Sequence, residues 1–122
     1  MTTTPAESVE AIFDRHLNAV IAHDLDTVMA DYADDAVVLT PQGVVRGKSG
    51  VATFFETAVF PLLDDTFMQN FKVLRKDIDG DVVFLLWEVD GMYAMGADSF
   101  FFKDGKICAQ TFAICPVAPS PA

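Results

Sequence analysis

Three Asp-Gly pairs, Asp79-Gly80, Asp90-Gly91 and Asp104-Gly105, constrain this chain more than any other feature. A two-residue type I′ turn needs positive φ at both central residues, and Asp-Gly meets that demand at little steric cost. The pairs divide the C-terminal half into four runs, 67–76, 82–89, 92–103 and 106–115. Runs of that length joined by hairpins form an antiparallel meander. Such a sheet is stable only when one face is covered.

The N-terminal half supplies the cover. Thr4-Pro5-Ala6-Glu7 reads as a helix opening, with Thr4 as the cap, Pro5 at the first helical position and Glu7 completing a capping box. Val9, Ile12, Phe13, Leu17, Val20 and Ile21 then fall on one helical stripe, with His16 inside it. Asp24 can cap a second helix, from Leu25 to about residue 33, packed through Leu25, Val28, Met29 and Tyr32. Residues 36–40 read as a short strand stopped by Pro41 and Gly43, and 44–46 can pair back onto it. A third helix starts near Lys48-Ser49 and ends before Pro61, burying Val51, Phe54, Phe55, Ala58 and Val59. Three helices followed by a meander imply an α+β fold, with the helices on one face of the antiparallel sheet. The chain reads as one domain with a core over about 5–115 and a frayed, Pro-rich tail at 116–122.

Charge narrows the partners. A net charge of −10 disfavours nucleic acid, which is bound by clustered Lys and Arg, and also anionic membranes. A neutral or weakly polar small molecule suits it better. No apolar run approaches the ~18 residues of a transmembrane helix, and Met1-Thr-Thr-Thr-Pro5 lacks the basic start and apolar stretch of a signal peptide, so the expected setting is cytoplasmic. Cys108 and Cys115 lie an odd spacing apart in one strand, on opposite faces, which argues against a disulfide. With two histidines and no His/Cys cluster, no metal is expected, and no cofactor. Gly43-Val-Val-Arg-Gly-Lys-Ser49 has too few residues between its glycines for a phosphate loop. Asp77-Ile-Asp-Gly-Asp81 has its glycine too early for a calcium loop.

The hairpins also assign faces. If Asp104-Gly105 is a two-residue turn, Asp98 falls opposite Thr111; if Asp90-Gly91 is another, Val83 falls opposite Asp98. One face then carries Val83, Leu85, Trp87, Met92, Asp98, Phe100, Phe102, Ile107, Thr111 and Ala113. The other carries Phe84, Leu86, Glu88, Tyr93, Phe101, Cys108, Gln110 and Phe112, more apolar than a solvated face needs to be.

The element order, together with His23-Asp-Leu-Asp26 leading to Asp31-Tyr-Ala-Asp-Asp-Ala-Val37, Gly43-Val-Val-Arg-Gly47 before a helix, and Gly96-Ala-Asp-Ser-Phe-Phe-Phe-Lys-Asp-Gly-Lys-Ile107, resembles the nuclear transport factor 2-like superfamily, in particular its SnoaL-like and ketosteroid-isomerase-like branch. The resemblance implies a cone whose curved sheet encloses a small-molecule pocket, and often a homodimer through the outer sheet face. It implies that Asp98 points into the cone as acid/base, and that His16 stands where the isomerases place an oxyanion-hole tyrosine. A carboxylic acid held neutral to donate to an enolate oxygen is the known arrangement in ketosteroid isomerase, a worked case of pKa tuning. Thr40 occupies the place of the isomerases' proton-abstracting aspartate, and threonine is no such base. No arginine lies on the predicted inner strands for the Arg-and-two-Asp site of epoxide hydrolases. The candidate site is thus Asp98 and His16 for chemistry, with Tyr32, Thr40, Leu85, Trp87, Met92, Phe100 and Thr111 as pocket wall. Two functions follow: a cofactor-independent enzyme on a small apolar oxygenated molecule, or a non-catalytic dimeric binding module.

Overall fold

The computed structural model describes residues 7–118. Helix α1 spans Val9–Ile21 and opens at Ser8, whose hydroxyl accepts from the Ala11 amide at 3.1 Å. That start is later than the sequence suggests. Thr4 and Pro5 lie outside the described residues, while Glu7 stays ahead of the helix and pairs with Arg15. At the other end the His23 amide bonds Val20 O and the Asp24 amide bonds Ala19 O, a Schellman closure. His23 takes the left-handed position (φ 58°) that glycine usually fills. Its ring stacks on Phe60 at 4.9 Å and its Nε2 lies 2.9 Å from Leu63 O, contacts that offset the strain.

Helix α2, Leu25–Ala30, starts at Asp24, which accepts from the Thr27 amide. It ends earlier than expected because strand β1, Tyr32–Thr40, begins at once: Tyr32 pairs with Ile107, and the Ile107 amide bonds Asp31 O at 2.7 Å. Strand β2, Gly43–Arg46, pairs back on β1. Helix α3, Gly47–Phe54, runs through a π-helical turn at Phe55–Val59 into α4, Phe60–Leu62, and so carries Pro61 instead of stopping before it. The π turn bonds the Phe60 amide to Phe55 O, so the missing proline N–H falls where the regular ladder is already broken. Residues 67–70 are not strand. Asp64 accepts from the Phe67 amide at 2.8 Å and caps a short helix, α5, Asp65–Asn70.

Strands β3 (Phe71–Asp79), β4 (Val82–Val89), β5 (Tyr93–Lys103) and β6 (Lys106–Pro116) complete the meander. The sheet order is β2-β1-β6-β5-β4-β3, antiparallel everywhere except at the β1–β6 join, which is parallel. The expected all-antiparallel sheet is corrected at that one seam. The chain stays tied beyond 115: Pro116 lies in β6 and the Val117 amide bonds Met92 O at 3.0 Å. Phe13, Val51 and Phe55 pack with Val83, Leu85, Phe100 and Ile107 in the core between the helices and the inner sheet face.

Register decides which side chains face inward. Asp104 and Gly105 both take positive φ and Lys103 pairs with Lys106, the type I′ turn expected. A bulge follows: Phe102 pairs with Ile107 but Phe101 with Ala109, leaving Cys108 as the extra residue. Beyond it every β6 side chain changes face. Asp98 therefore faces Phe112, not Thr111; Gln110, Phe112 and Ile114 turn inward, and Thr111 and Ala113 outward. At the other hairpin the loop has three residues, Asp90–Met92, and a second bulge lies between Tyr93 and Gly96. The two irregularities bring Leu85, not Val83, opposite Asp98, a slip of two that preserves the face. They also turn Tyr93 inward against Trp87.

Candidate functional site

Between the helices and the sheet lies a cavity of about 650 Å³. Phe13 and Leu17 of α1, Phe54, Phe55 and Val59 of the α3 segment, and Leu85, Trp87, Phe100 and Phe112 of the sheet form apolar walls. Polar groups on the lining are few: His16, Thr40, Gln42, Tyr93, Asp98 and Gln110.

Of the residues singled out from sequence, Asp98, His16, Thr40, Leu85, Trp87 and Phe100 reach this lining. Three do not. Thr111 is carried to the outer face by the Cys108 bulge. Met92 sits in the β4–β5 turn, its amide bonded to Val89 O. Tyr32 is 1 % exposed and stands behind the cavity wall, between His16 and Gln110. Gln110 and Phe112, assigned outward from sequence, belong to the lining. No residue near Cys108 announces the bulge that puts them there. The Thr40 hydroxyl donates to Gly43 O at 2.9 Å and accepts from the Gln42 amide at 3.1 Å, so it shapes the β1–β2 turn.

Asp98 is partly exposed, and what it faces is the cavity. Its Oδ1 accepts from Trp87 Nε1 at 3.1 Å and its Oδ2 from Gln110 Nε2 at 3.3 Å. Burial pushes the carboxyl up to about 6, against the two hydrogen bonds that pull it down. Both donors are neutral, so no cation offsets the desolvation. The indole reaches Asp98 because Trp87 lies directly across from Gly96: a Cβ there would stand 2.1 Å from Trp87 Cε2.

A continuous set of hydrogen bonds leads away from Asp98. Gln110 Oε1 accepts from the Tyr32 hydroxyl, and the Tyr32 oxygen lies 3.4 Å from His16 Nε2. His16 Nδ1 is 3.2 Å from Asp31 Oδ2, and Asp31 Oδ1 accepts from Arg15 at 2.9 Å. His16 and Asp31 are each 2 % exposed. Burial alone would raise the Asp31 carboxyl, but His16 and Arg15 outweigh it and hold it below the ordinary value. Burial, with Asp98 and Asp31 close by, lifts Tyr32 well above its ordinary value and keeps the phenol protonated. No buried side-chain nitrogen or oxygen among the described residues lacks a partner.

The SnoaL-like domain family matches residues 13–110, four-fifths of the chain and all of this network except the Arg15–Glu7 end pair. The chain belongs to that family. Solved structures share the fold. An NTF2-like protein of unknown function from Burkholderia xenovorans superimposes with a TM-score of 0.72 at 20 % identity, over 93 % of this chain and 87 % of that one. A candidate ketosteroid isomerase from Kribbella flavida gives 0.70 at 14 % identity, covering 93 % and 82 %. A Mycobacterium tuberculosis LEH-like epoxide hydrolase gives 0.62 at 21 % identity, covering 87 % and 81 %. Comparison with curated proteins found no match.

Within the SnoaL-like fold, then, this chain places one desolvated carboxyl on an apolar wall and, among the described residues, no arginine on the cavity lining. Among the described residues no group of three His, Cys, Asp or Glu side chains could hold a metal, and no helix is long and apolar enough to cross a membrane. A carboxyl poised near neutrality can give or take a proton; apolar walls around it favour an uncharged guest.

Proposed function

We propose that this SnoaL-like domain binds a neutral, mostly apolar, oxygen-bearing small molecule and moves a proton on it, with Asp98 as general acid/base and His16 assisting. The reaction class is isomerisation, cyclisation or dehydration without a cofactor. One observation carries the reading: the Asp98 carboxyl, raised to about 6, faces a cavity of about 650 Å³ whose walls are aliphatic and aromatic. Efficient proton transfer wants a pKa near the working pH, which a solvated aspartate does not have.

Trp87 is the only tryptophan in the chain and lies on the cavity wall, so guest entry is read by its fluorescence. A suitable probe is 2-tetralone, an apolar ketone whose α-protons exchange with D2O. Accelerated exchange that Asp98→Asn abolishes supports proton transfer. Quenching of Trp87 with no acceleration in the wild type would sink the catalytic reading and leave a binding module. That second reading draws on Thr40, whose hydroxyl is spent on a turn where the isomerases keep a base.

We also propose that the outer sheet face joins two copies of the chain. Ala97 pairs with Ala113 and Ser99 with Thr111 on this face, while Val82, Met95 and Phe101 stand exposed around them.

A further inference from the structure

We propose that Asp98 and His16 share one proton through Tyr32 and Gln110, with the buried His16–Asp31 pair storing the proton that Asp98 delivers. The proposal deepens the acid/base reading of Asp98 and rests on it for its catalytic meaning.

Hydrogen-bond counting leads there. The Tyr32 hydroxyl has one proton, and it is donated to Gln110 Oε1. Toward His16 the Tyr32 oxygen can then only accept, so Nε2 carries a proton. Nδ1 faces Asp31, whose carboxyl His16 and Arg15 together hold below the ordinary value and which already accepts from Arg15, so Nδ1 carries one as well. His16 is therefore an imidazolium in this arrangement, and Asp98 a carboxylate receiving Trp87 and Gln110. Every donor meets an acceptor.

A second arrangement of the same atoms, with the same proton count, is equally matched. His16 Nε2 gives up its proton and Asp98 Oδ2 gains one. The Tyr32 hydroxyl swings to Nε2, and the Gln110 amide turns over so that its NH2 donates to the Tyr32 oxygen. The Asp98 O–H then donates to Gln110 Oε1. Neutral His16 beside ionised Asp98 fits neither pattern, because it sets two acceptor oxygens face to face between Tyr32 and Gln110. Loss of the proton at His16 therefore strengthens the hold on one at Asp98, the behaviour of a coupled pair. The charged and titratable groups facing this chain are Asp31 and, behind it, Arg15; the remaining titratable side chain on the described cavity lining is Tyr93.

The arrangement lets Asp98 recover a proton while a guest fills the cavity and excludes water. His16, Tyr32 and Gln110 act through Asp98, so they are positioning residues whether or not the guest touches them.

The test is an NMR titration of the full chain, following the Asp98 carboxyl carbon and both His16 ring nitrogens in wild type, Tyr32→Phe and Gln110→Met. Coupling predicts that in the wild type both residues show inflections at the same two pH values. It also predicts that each variant reduces them to one independent inflection per residue. Independent single inflections in the wild type, or shared inflections that survive both substitutions, would overturn the proposal. Gln110→Met lies on the cavity wall and serves if loss of the buried Tyr32 hydroxyl prevents folding. Failure of tetralone exchange with shared inflections intact would remove only the catalytic reading. Normal exchange with independent inflections would remove only the coupling.

Discussion

Asp98→Asn should make the protein more stable, and only above a particular pH. In the unfolded chain the Asp98 carboxyl ionises near 3.8; in the folded chain burial delays ionisation to about 6. Below 3.8 both states hold the proton and Asp98 adds no pH dependence. Between 3.8 and about 6 the unfolded state has released its proton and the folded state has not, so stability falls as pH rises. Above about 6 both are ionised and the penalty is complete. At about 1.4 kcal/mol for each tenfold change in proton affinity, it is worth up to about 3 kcal/mol, less whatever water in the cavity recovers. An asparagine amide keeps the shape, can accept from Trp87 and can donate to a turned Gln110, and it never carries the charge. Urea unfolding of wild type and variant, from pH 4 to pH 8, reads the difference directly. The variant should match the wild type near pH 4, gain on it up to about pH 6, and stay about 2–3 kcal/mol ahead above that. Parallel curves across the whole range, or a variant less stable at pH 8, would refute the claim that Asp98 is a desolvated acid without a compensating cation. An active-site group that costs stability is the usual stability–activity trade-off.

Three further substitutions test other parts of the structure. Gly96→Ala forces the Trp87 indole off Asp98, and should cost about 1–3 kcal/mol by overpacking while red-shifting the tryptophan emission; unchanged emission would mean that the strand yields instead. Asp31→Asn removes the anion between His16 and Arg15 and should cost about 2–3 kcal/mol at pH 7. Because the Asp31 carboxyl is held below its ordinary value, that loss should be full above the unfolded value and shrink as the pH is lowered through the folded one, which urea unfolding at pH 7 and pH 3 measures. Phe101→Glu places a charge on the outer sheet face and should yield a monomer in sedimentation, whereas an unchanged mass with wild-type assembly would count against the dimer proposal. Phe112 faces the cavity, so a charge there would not probe the outer face.

What could be read from the chain divides along a physical line. Hairpin positions and helix stripes depend on local periodicity and turn chemistry, and there the reading from sequence and the structure agree; the inward direction of Asp98, implied by the family resemblance, agrees as well. Asp104-Gly105 adopts its type I′ turn, and His16 lies on the buried stripe of α1. The misassignments come from places where a bulge, a loop length, a cap or a partner strand overrides the local pattern. A bulge at Cys108 exchanges Thr111 for Gln110; a three-residue loop and a second bulge bring Tyr93 inward; a capping aspartate turns 67–70 into helix; pairing with Ile107 draws Tyr32 out of α2. Each is settled by a partner strand or a cap, and period-two reasoning along one strand does not contain that information. The consequence is chemical. With Thr111 opposite it, Asp98 would have faced a lone hydroxyl with no path to His16. The bulge sets Phe112 opposite Asp98 and brings Gln110 diagonally beside it, an amide that can donate on one side and accept on the other, and withdrawal of Tyr32 from the helix supplies the next link. A network able to reverse its three hydrogen bonds between His16 and Asp98 at constant proton count thus depends on two backbone irregularities. Deleting Cys108 to straighten β6 should disconnect Asp98 from His16 even if the sheet still forms.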